Sequence, residues 1–221
     1  MKVVMSYCWK DRALAVSAAA LLTRKTSIPE GQLWLYGSEF AEPPPPELID
    51  MGVNYIQSAK DSQSYPLGPN YMFANLMALM EREGWDEPVF MCEPDGFPTC
   101  ADWYERVRAA HIAAEALASG CWIQWTPIQH YNGNMVISPA ILRQLPALKR
   151  PVVVAWDCHW AELIAKYGRV NPEIMNPRKD ARTYPLKFYW DCRNHNGERP
   201  AWVHGVQNFS AWERIDERGF E

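Results

Sequence analysis

"PVFMCEPDGFP", residues 88–98, is the stretch on which the fold turns. Val89 to Cys92 make a short apolar run of the kind that a strand buried on both faces requires. The run ends at once in two carboxylates, Glu93 and Asp95, held apart by Pro94 and followed by Gly96 and Pro98. Two acids on a stiffened turn can hold a hard divalent cation, Mg²⁺ or Mn²⁺, whose shell phosphate oxygens complete; Pro94 fixes φ and leaves little loop entropy to lose. They can equally be a surface turn whose acids cap the next helix.

Upstream of this stretch, strand and helix patterns alternate. "KVVMSYC" (2–8), "LWLYGS" (33–38) and "VNYIQSA" (53–59) predict strands. "DRALAVSAAALLTRK" (11–25) predicts a helix opened by Asp11 and closed by Arg24 and Lys25, and "NYMFANLMALMERE" (70–83) a longer one. Such alternation predicts an α/β fold, Rossmann-like, with a mostly parallel central sheet and helices on both faces. Ligands of such sheets bind beyond the carboxyl ends of the strands, so Ser6 and Tyr7 should share a rim with Glu93 and Asp95.

Downstream the pattern is less regular. Helices are predicted over 101–119 and over "DCHWAELIAKYG" (157–168), which Asp157 opens and Gly168 closes. "CWIQWTP" and "PVVVAW" (151–156) predict strands, and "NMVISPAILRQL" a strand that becomes a helix at Pro139. "HYNGNMVIS" (130–138) places Asn132 and Asn134 around Gly133, as a tight turn entering a strand would. The last fifty residues, rich in Pro, Asn and Arg, predict an irregular C-terminal segment with little core of its own. No linker divides the 221 residues, so one domain is expected.

A net charge of −4 gives no global field for nucleic acid, although a local basic track remains open. The eleven tryptophans and ten tyrosines serve either an aromatic core or a groove for rings and sugars. Six cysteines without a CxxC pair fit no standard zinc unit. Free thiols, no leader in "MKVVMSYCWKD" and no apolar run of spanning length point to a cytoplasmic protein that does not enter a membrane. P-loop, GxGxxG and GxSxG motifs are absent from the sequence. In "WVHGVQN" (202–208), His204 precedes Gly205; it reads as a metal ligand, a phosphate partner or an ordinary hydrogen-bonded histidine.

Seven segments in order carry a resemblance: "SYCWKDRALA", "YPLGPNYMF" (65–73), "EPDGFP", "HYNGNMVISP", "AWD" (155–157), "NPEIMNPR" (171–178) and "VHGVQN". Together they resemble the glycosyltransferases of GT-A fold, above all small stand-alone members from bacteriophages and bacteria. The resemblance implies one GT-A-like domain over 1–221, with a nucleotide-binding half (1–100) and an acceptor half (101–221) whose C-terminal segment contacts metal and phosphate. It implies a divalent metal held by Asp95, His204 and Glu93, and a nucleotide sugar contacted by Ser6, Tyr7, Asp11, Asn70, Glu93 and Asp95. Asp157 is then the catalytic acid facing the sugar's reacting carbon, with His130, Asn132 and Asn134 toward sugar and acceptor. The implied donor is a UDP-linked hexose, glucose first. The implied acceptor is a hydroxymethylated pyrimidine in phage DNA, tracked through its phosphates by Arg178, Lys179 and Arg193, in a host cytoplasm. The chain departs from the pattern at Glu93, where relatives carry Asp, and at Gln207 and Asn208, where they carry Lys and Asp. Two other readings stand beside it: a non-catalytic module binding carbohydrate or nucleic acid on the same fold, and a metal-dependent phosphohydrolase.

Overall fold

A computed structural model describes residues 1–59, 64–124, 126–177, 186–206 and 208–220. The first half runs β1 (Lys2–Tyr7), α1 (Arg12–Lys25), β2 (Leu33–Gly37), α2 (Pro46–Asp50), β3 (Asn54–Gln57), α3 (Leu67–Arg82), β4 (Val89–Cys92) and β5 (Gly96–Pro98). The second runs α4 (Trp103–Ala113), β6 (Ala118–Ile123), β7 (His130–Ile137), α5 (Ile141–Gln144), a 3₁₀ turn (Pro146–Lys149), α6 (Trp156–His159) and α7 (Ala161–Tyr167). It continues through β8 (Gly168–Val170), β9 (Ile174–Met175), α8 (Leu186–Trp190), β10 (Trp202–His204) and α9 (Ser210–Arg218).

Seven strands form the central sheet in the order β3-β2-β1-β4-β7-β6-β8. β3, β2, β1 and β4 are parallel, β7 runs against β4 and β6, and β8 is parallel to β6. The mostly parallel α/β sheet read from the alternation is therefore present. Its period of two is visible in β1: Val3 and Met5 enter one apolar cluster, with Leu22, Trp103, Trp202 and Trp212, while Val4 enters the other, with Met77, Met91 and Ile137. A second, three-stranded sheet has the order β5-β10-β9, with β5 antiparallel to β10.

Five expectations are corrected. "PVVVAW" forms no strand: Asn70 Nδ2 donates to the carbonyls of Val152 and Val154, and Val153 is 79% exposed. Those two carbonyls bond a side chain here, and the segment pairs with no strand of either sheet. The expected turn at Asn132–Asn134 is instead the interior of the continuous strand β7. The helix expected over 101–119 stops at Ala113, and Glu115 at φ 49° redirects the chain so that Ala118 to Gly120 join β6. Helix-favouring alanines lose there to pairing with β7 and β8. The helix expected over 157–168 is broken at Trp160 into α6 and α7, and Gly168 is extended rather than a left-handed cap. The C-terminal segment also carries core: Trp202, Trp212 and Ile215 are all buried. Cutting any buried tryptophan to alanine costs about 3–5 kcal/mol.

His111 of α4 is buried between two hydroxyls, Ser119 Oγ at 2.8 Å and Ser138 Oγ at 2.9 Å. Burial holds its pKa down at about 4. Among the described residues no helix is long and apolar enough to cross a membrane.

Candidate metal centre and adjoining cavity

The turn Glu93-Pro94-Asp95 is the point where the chain leaves the central sheet for the small one. β10 pairs with β5 in a register that sets His204 opposite Gly96, one residue from Asp95. The Asp95 carbonyl accepts the N–H groups of Gly205 (3.1 Å) and Val206 (2.9 Å). Trp212 donates its indole N–H to the Pro94 carbonyl at 3.1 Å. Asn134 Oδ1 accepts both the Glu93 N–H (3.3 Å) and the Trp202 indole N–H (3.2 Å). Gly96 must be glycine, because a Cβ there would lie 2.6 Å from Trp202 Nε1. The turn is thus fixed from β7, β10 and α9 at once.

Three ligating groups converge on it. His204 Nε2 lies 2.9 Å from Asp95 Oδ1 and 3.1 Å from Glu93 Oε2. The His204 and Asp95 side chains are 12% and 17% exposed, while Glu93 reaches solvent at 55%. Burial works against charge on both inner groups, yet each holds the other's: beside Asp95 and Glu93 the His204 pKa rises to about 10, and beside His204 the Asp95 carboxyl is held below its ordinary value.

The residues fit a divalent cation on two observations. The hydrogen bond of Nε2 goes to Glu93, so the buried Asp95 Oδ1 is in ionic contact but accepts no aimed hydrogen bond. On the far side of the imidazole, the Asn176 amide lies 3.3 Å from Nδ1 while its own oxygen is buried without a partner. Turning that amide over would let it accept Nδ1–H, leaving the Nε2 lone pair for a cation. Two carboxylates and one imidazole suit Mn²⁺, with Mg²⁺ as the harder alternative, and leave coordination places for other oxygens.

The turn opens into a cavity of about 570 Å³ at the carboxyl ends of β1 and β4. Ser6, Tyr7, Asp11, Glu93, Asp95, Asn132 and Asp157 all line it, so the rim expected from the topology exists. Some of these side chains are already engaged with the protein: the Tyr7 hydroxyl donates to the Glu42 carbonyl, Asp11 Oδ2 accepts from Cys8 Sγ, and Asn132 Oδ1 accepts from the Asn134 N–H. Asn70 also borders the cavity, but its amide is committed to Val152, Val154 and the Trp156 N–H. Asn134 is fully buried and serves the turn instead of facing sugar. His130 is 7% exposed and stands beside Asp157. Arg193 is exposed and folds its guanidinium back onto the carbonyls of Asp191 and Cys192; Arg178 and Lys179 lie outside the described residues.

Several participants escape sequence reasoning. Phe73 and Trp156 stack at 3.8 Å between centroids and 4° between planes, on the cavity wall. Tyr65, 77% exposed, stands at the same wall. Asn176 and Trp212 act only through their contacts with His204 and Pro94. Tyr65 and Phe73 lie in "YPLGPNYMF", Trp156 in "AWD" and Asn176 in "NPEIMNPR", which stand out in the sequence, but nothing in them marks which side chain faces the site.

No family model matches the chain, and no curated protein matches it. Solved structures do. The galactosyltransferase LgtC, in complex with donor and acceptor sugar analogues, is 11% identical at a TM-score of 0.55, covering 98% of this chain and 94% of its own. The glycosyltransferase GlyE of Streptococcus pneumoniae is 12% identical at 0.53, over 96% of this chain and 56% of GlyE. The mannosyltransferase PcManGT of Pyrobaculum calidifontis, in complex with GDP-Man and Mn²⁺, is 15% identical at 0.53, over 80% of this chain and 54% of its own. The chain therefore has the fold of the GT-A glycosyltransferases.

Proposed function

We propose that this chain is a divalent-cation-dependent glycosyltransferase that moves a hexose from a nucleotide sugar to an acceptor hydroxyl. The observation that carries the proposal is the convergence of Glu93, Asp95 and His204 at the mouth of a cavity on the carboxyl rim of the sheet. No Lys or Arg side chain is found among the described residues lining that cavity, whereas Asp11, Glu93, Asp95 and Asp157 are all acids. Such a wall repels a diphosphate unless a cation stands between them. Nucleotide-sugar and Mn²⁺ binding by the structural neighbours supports the same reading.

Asp95, His204 and Glu93 would hold the cation. When bound, it would supply positive charge to the diphosphate as that group departs. Asp157 supplies the basic oxygen: the Cys158 N–H fixes its Oδ1 at 2.9 Å, and Oδ2 is left to take the proton of the acceptor hydroxyl. The stacked Phe73–Trp156 pair gives one wall a flat apolar surface against which sugar or base can lie.

UDP-glucose is the first donor in our reading, and hydroxymethylated pyrimidine in DNA the first acceptor. Thermal unfolding against a panel of nucleotide sugars, with and without Mn²⁺, tests the proposal. A donor at a hundred times its dissociation constant should add about 2.7 kcal/mol, and only when Mn²⁺ is present. Turnover should then release nucleoside diphosphate and sugar. Release of inorganic phosphate would mark a phosphohydrolase, and binding without turnover a non-catalytic module; either result overturns the proposal.

A further inference from the structure

Asp157 has a close partner outside the metal centre. His130, the first residue of β7, is buried beside α6, with Nε2 3.6 Å from Asp157 Oδ2. Its other nitrogen, Nδ1, lies 2.7 Å from the Ile128 carbonyl oxygen. A carbonyl only accepts, so Nδ1 carries the hydrogen and the neutral ring turns a bare Nε2 toward the carboxylate. Two acceptors then face each other across a gap too wide for a hydrogen bond. A proton, or a hydroxyl donating into the gap, closes it.

Cys158 completes a cluster with this pair, one ligand atom from each lying within 4.8 Å of the others. Its sulfur approaches Nδ1, at 3.7 Å, and that nitrogen is already committed to Ile128. Burial and the neighbouring Asp157 also hold the thiol above its ordinary value, which keeps it protonated. The Tyr65 hydroxyl stands within electrostatic reach of Asp157 and Cys158, and also of Glu93 across the cavity.

We propose that His130 is the proton-holding partner of Asp157 during glycosyl transfer, an inference that rests on the glycosyltransferase reading. The acceptor oxygen forms its bond to the sugar's anomeric carbon while the bond from that carbon to the diphosphate breaks, its electron pair leaving on the diphosphate. The acceptor's proton passes to Asp157 Oδ2 and on to His130 Nε2. An imidazolium–carboxylate pair is left, which solvent discharges before the next turnover. His130 touches no substrate; it is a positioning residue acting through Asp157.

The test has two arms. Nitrogen-15 NMR of histidine-labelled protein reads the ring directly: the neutral His130 should be the Nδ1–H tautomer, and Asp157→Asn should move the Nε2 resonance, which faces the carboxylate. An Nε2–H tautomer, or an Nε2 resonance indifferent to Asp157→Asn, overturns the proposal. The second arm follows Mn²⁺-dependent conversion of UDP-glucose, or of the donor chosen by thermal shift, with water as acceptor, across pH. His130→Asn keeps a donor for Ile128 but loses Nε2; it should lower kcat about tenfold or more, leave the donor KM unchanged and abolish the ionisation in the kcat profile. His130→Gln, with an amide near the Nε2 position, should keep the fold and the donor KM but not restore that ionisation. An unchanged profile in both variants assigns His130 a purely structural role and overturns the proposal. NMR coupling without turnover of any nucleotide sugar overturns the transfer reading, and with it this role, while leaving the pair itself in place.

Discussion

Trp212 donates its indole N–H to the carbonyl of Pro94 at 3.1 Å, so helix α9 grips the crest of the turn between Glu93 and Asp95. The backbone of the turn is therefore held by packing that does not depend on the acids' charge. Asp95→Asn should remove Mn²⁺ binding, read by the electron paramagnetic resonance of free Mn²⁺, and with it turnover; it should also lower the unfolding temperature, because the buried His204 loses its nearest counter-charge. Mn²⁺ affinity within threefold of the parent would show that Asp95 is no ligand.

Asn176 makes a separable prediction about the same centre. Its amide faces Nδ1 of His204, the nitrogen opposite the one offered to the cation. Asn176→Ala should weaken Mn²⁺ binding by about 10–100-fold, the usual effect of losing a group that orients a metal-bound imidazole. Stability without metal should hardly change. Titration calorimetry with Mn²⁺ decides it.

Gly96 tests the fit between the two sheets. A methyl group there meets the indole of Trp202, which is fully buried and cannot withdraw. Gly96→Ala should cost roughly 1–3 kcal/mol. Because His204 pairs with Gly96, the same change should also loosen the cation site. Denaturant unfolding and Mn²⁺ titration on one sample would read both, and a stable variant with altered affinity would contradict the packing account.

His111 sets a pH dependence remote from the cavity. An unfolded chain's histidine titrates near 6.5, whereas burial holds His111 at about 4. Between those values the unfolded state binds the proton and the folded state does not. Stability is therefore full above pH 6.5 and falls as pH drops toward 4, by roughly 3 kcal/mol from this residue. His111→Gln should flatten the slope of unfolding free energy over that window relative to the parent, and an unchanged slope would place the titration elsewhere.

The first ninety residues announce their fold because apolar runs and amphipathic stretches alternate between clear turn residues. Later elements are hidden for physical reasons. β5 and β10 have three residues each and depend on pairing remote in sequence, β5 with β10 and β10 also with β9. "PVVVAW" has strand composition, but Asn70 claims its carbonyls. Glu93, Asp95 and His204 are legible as candidates because their chemistry marks them, and the fold brings them together. Asn70 and Asn134 look like ligands for the same reason, yet a sequence does not tell whether an amide faces a cavity or a neighbouring backbone. The Asp157–His130 contact likewise depends on a strand and a helix meeting, which no spacing records.

The pairing of β10 with β5 also bears on the order of events during synthesis. Glu93 and His204 are 111 residues apart, so a chain made from its N-terminus carries the acids long before the imidazole exists. Closing a loop of that length costs on the order of 4 kcal/mol in chain entropy, which the rest of the fold must already offset. Until β10 zips onto β5, the two acids of the nascent protein stand without the imidazole that meets them in the fold. Under the proposed function, cation capture would wait for the last strand of the small sheet, and a chain stalled before residue 204 would lack one of the three groups that hold it.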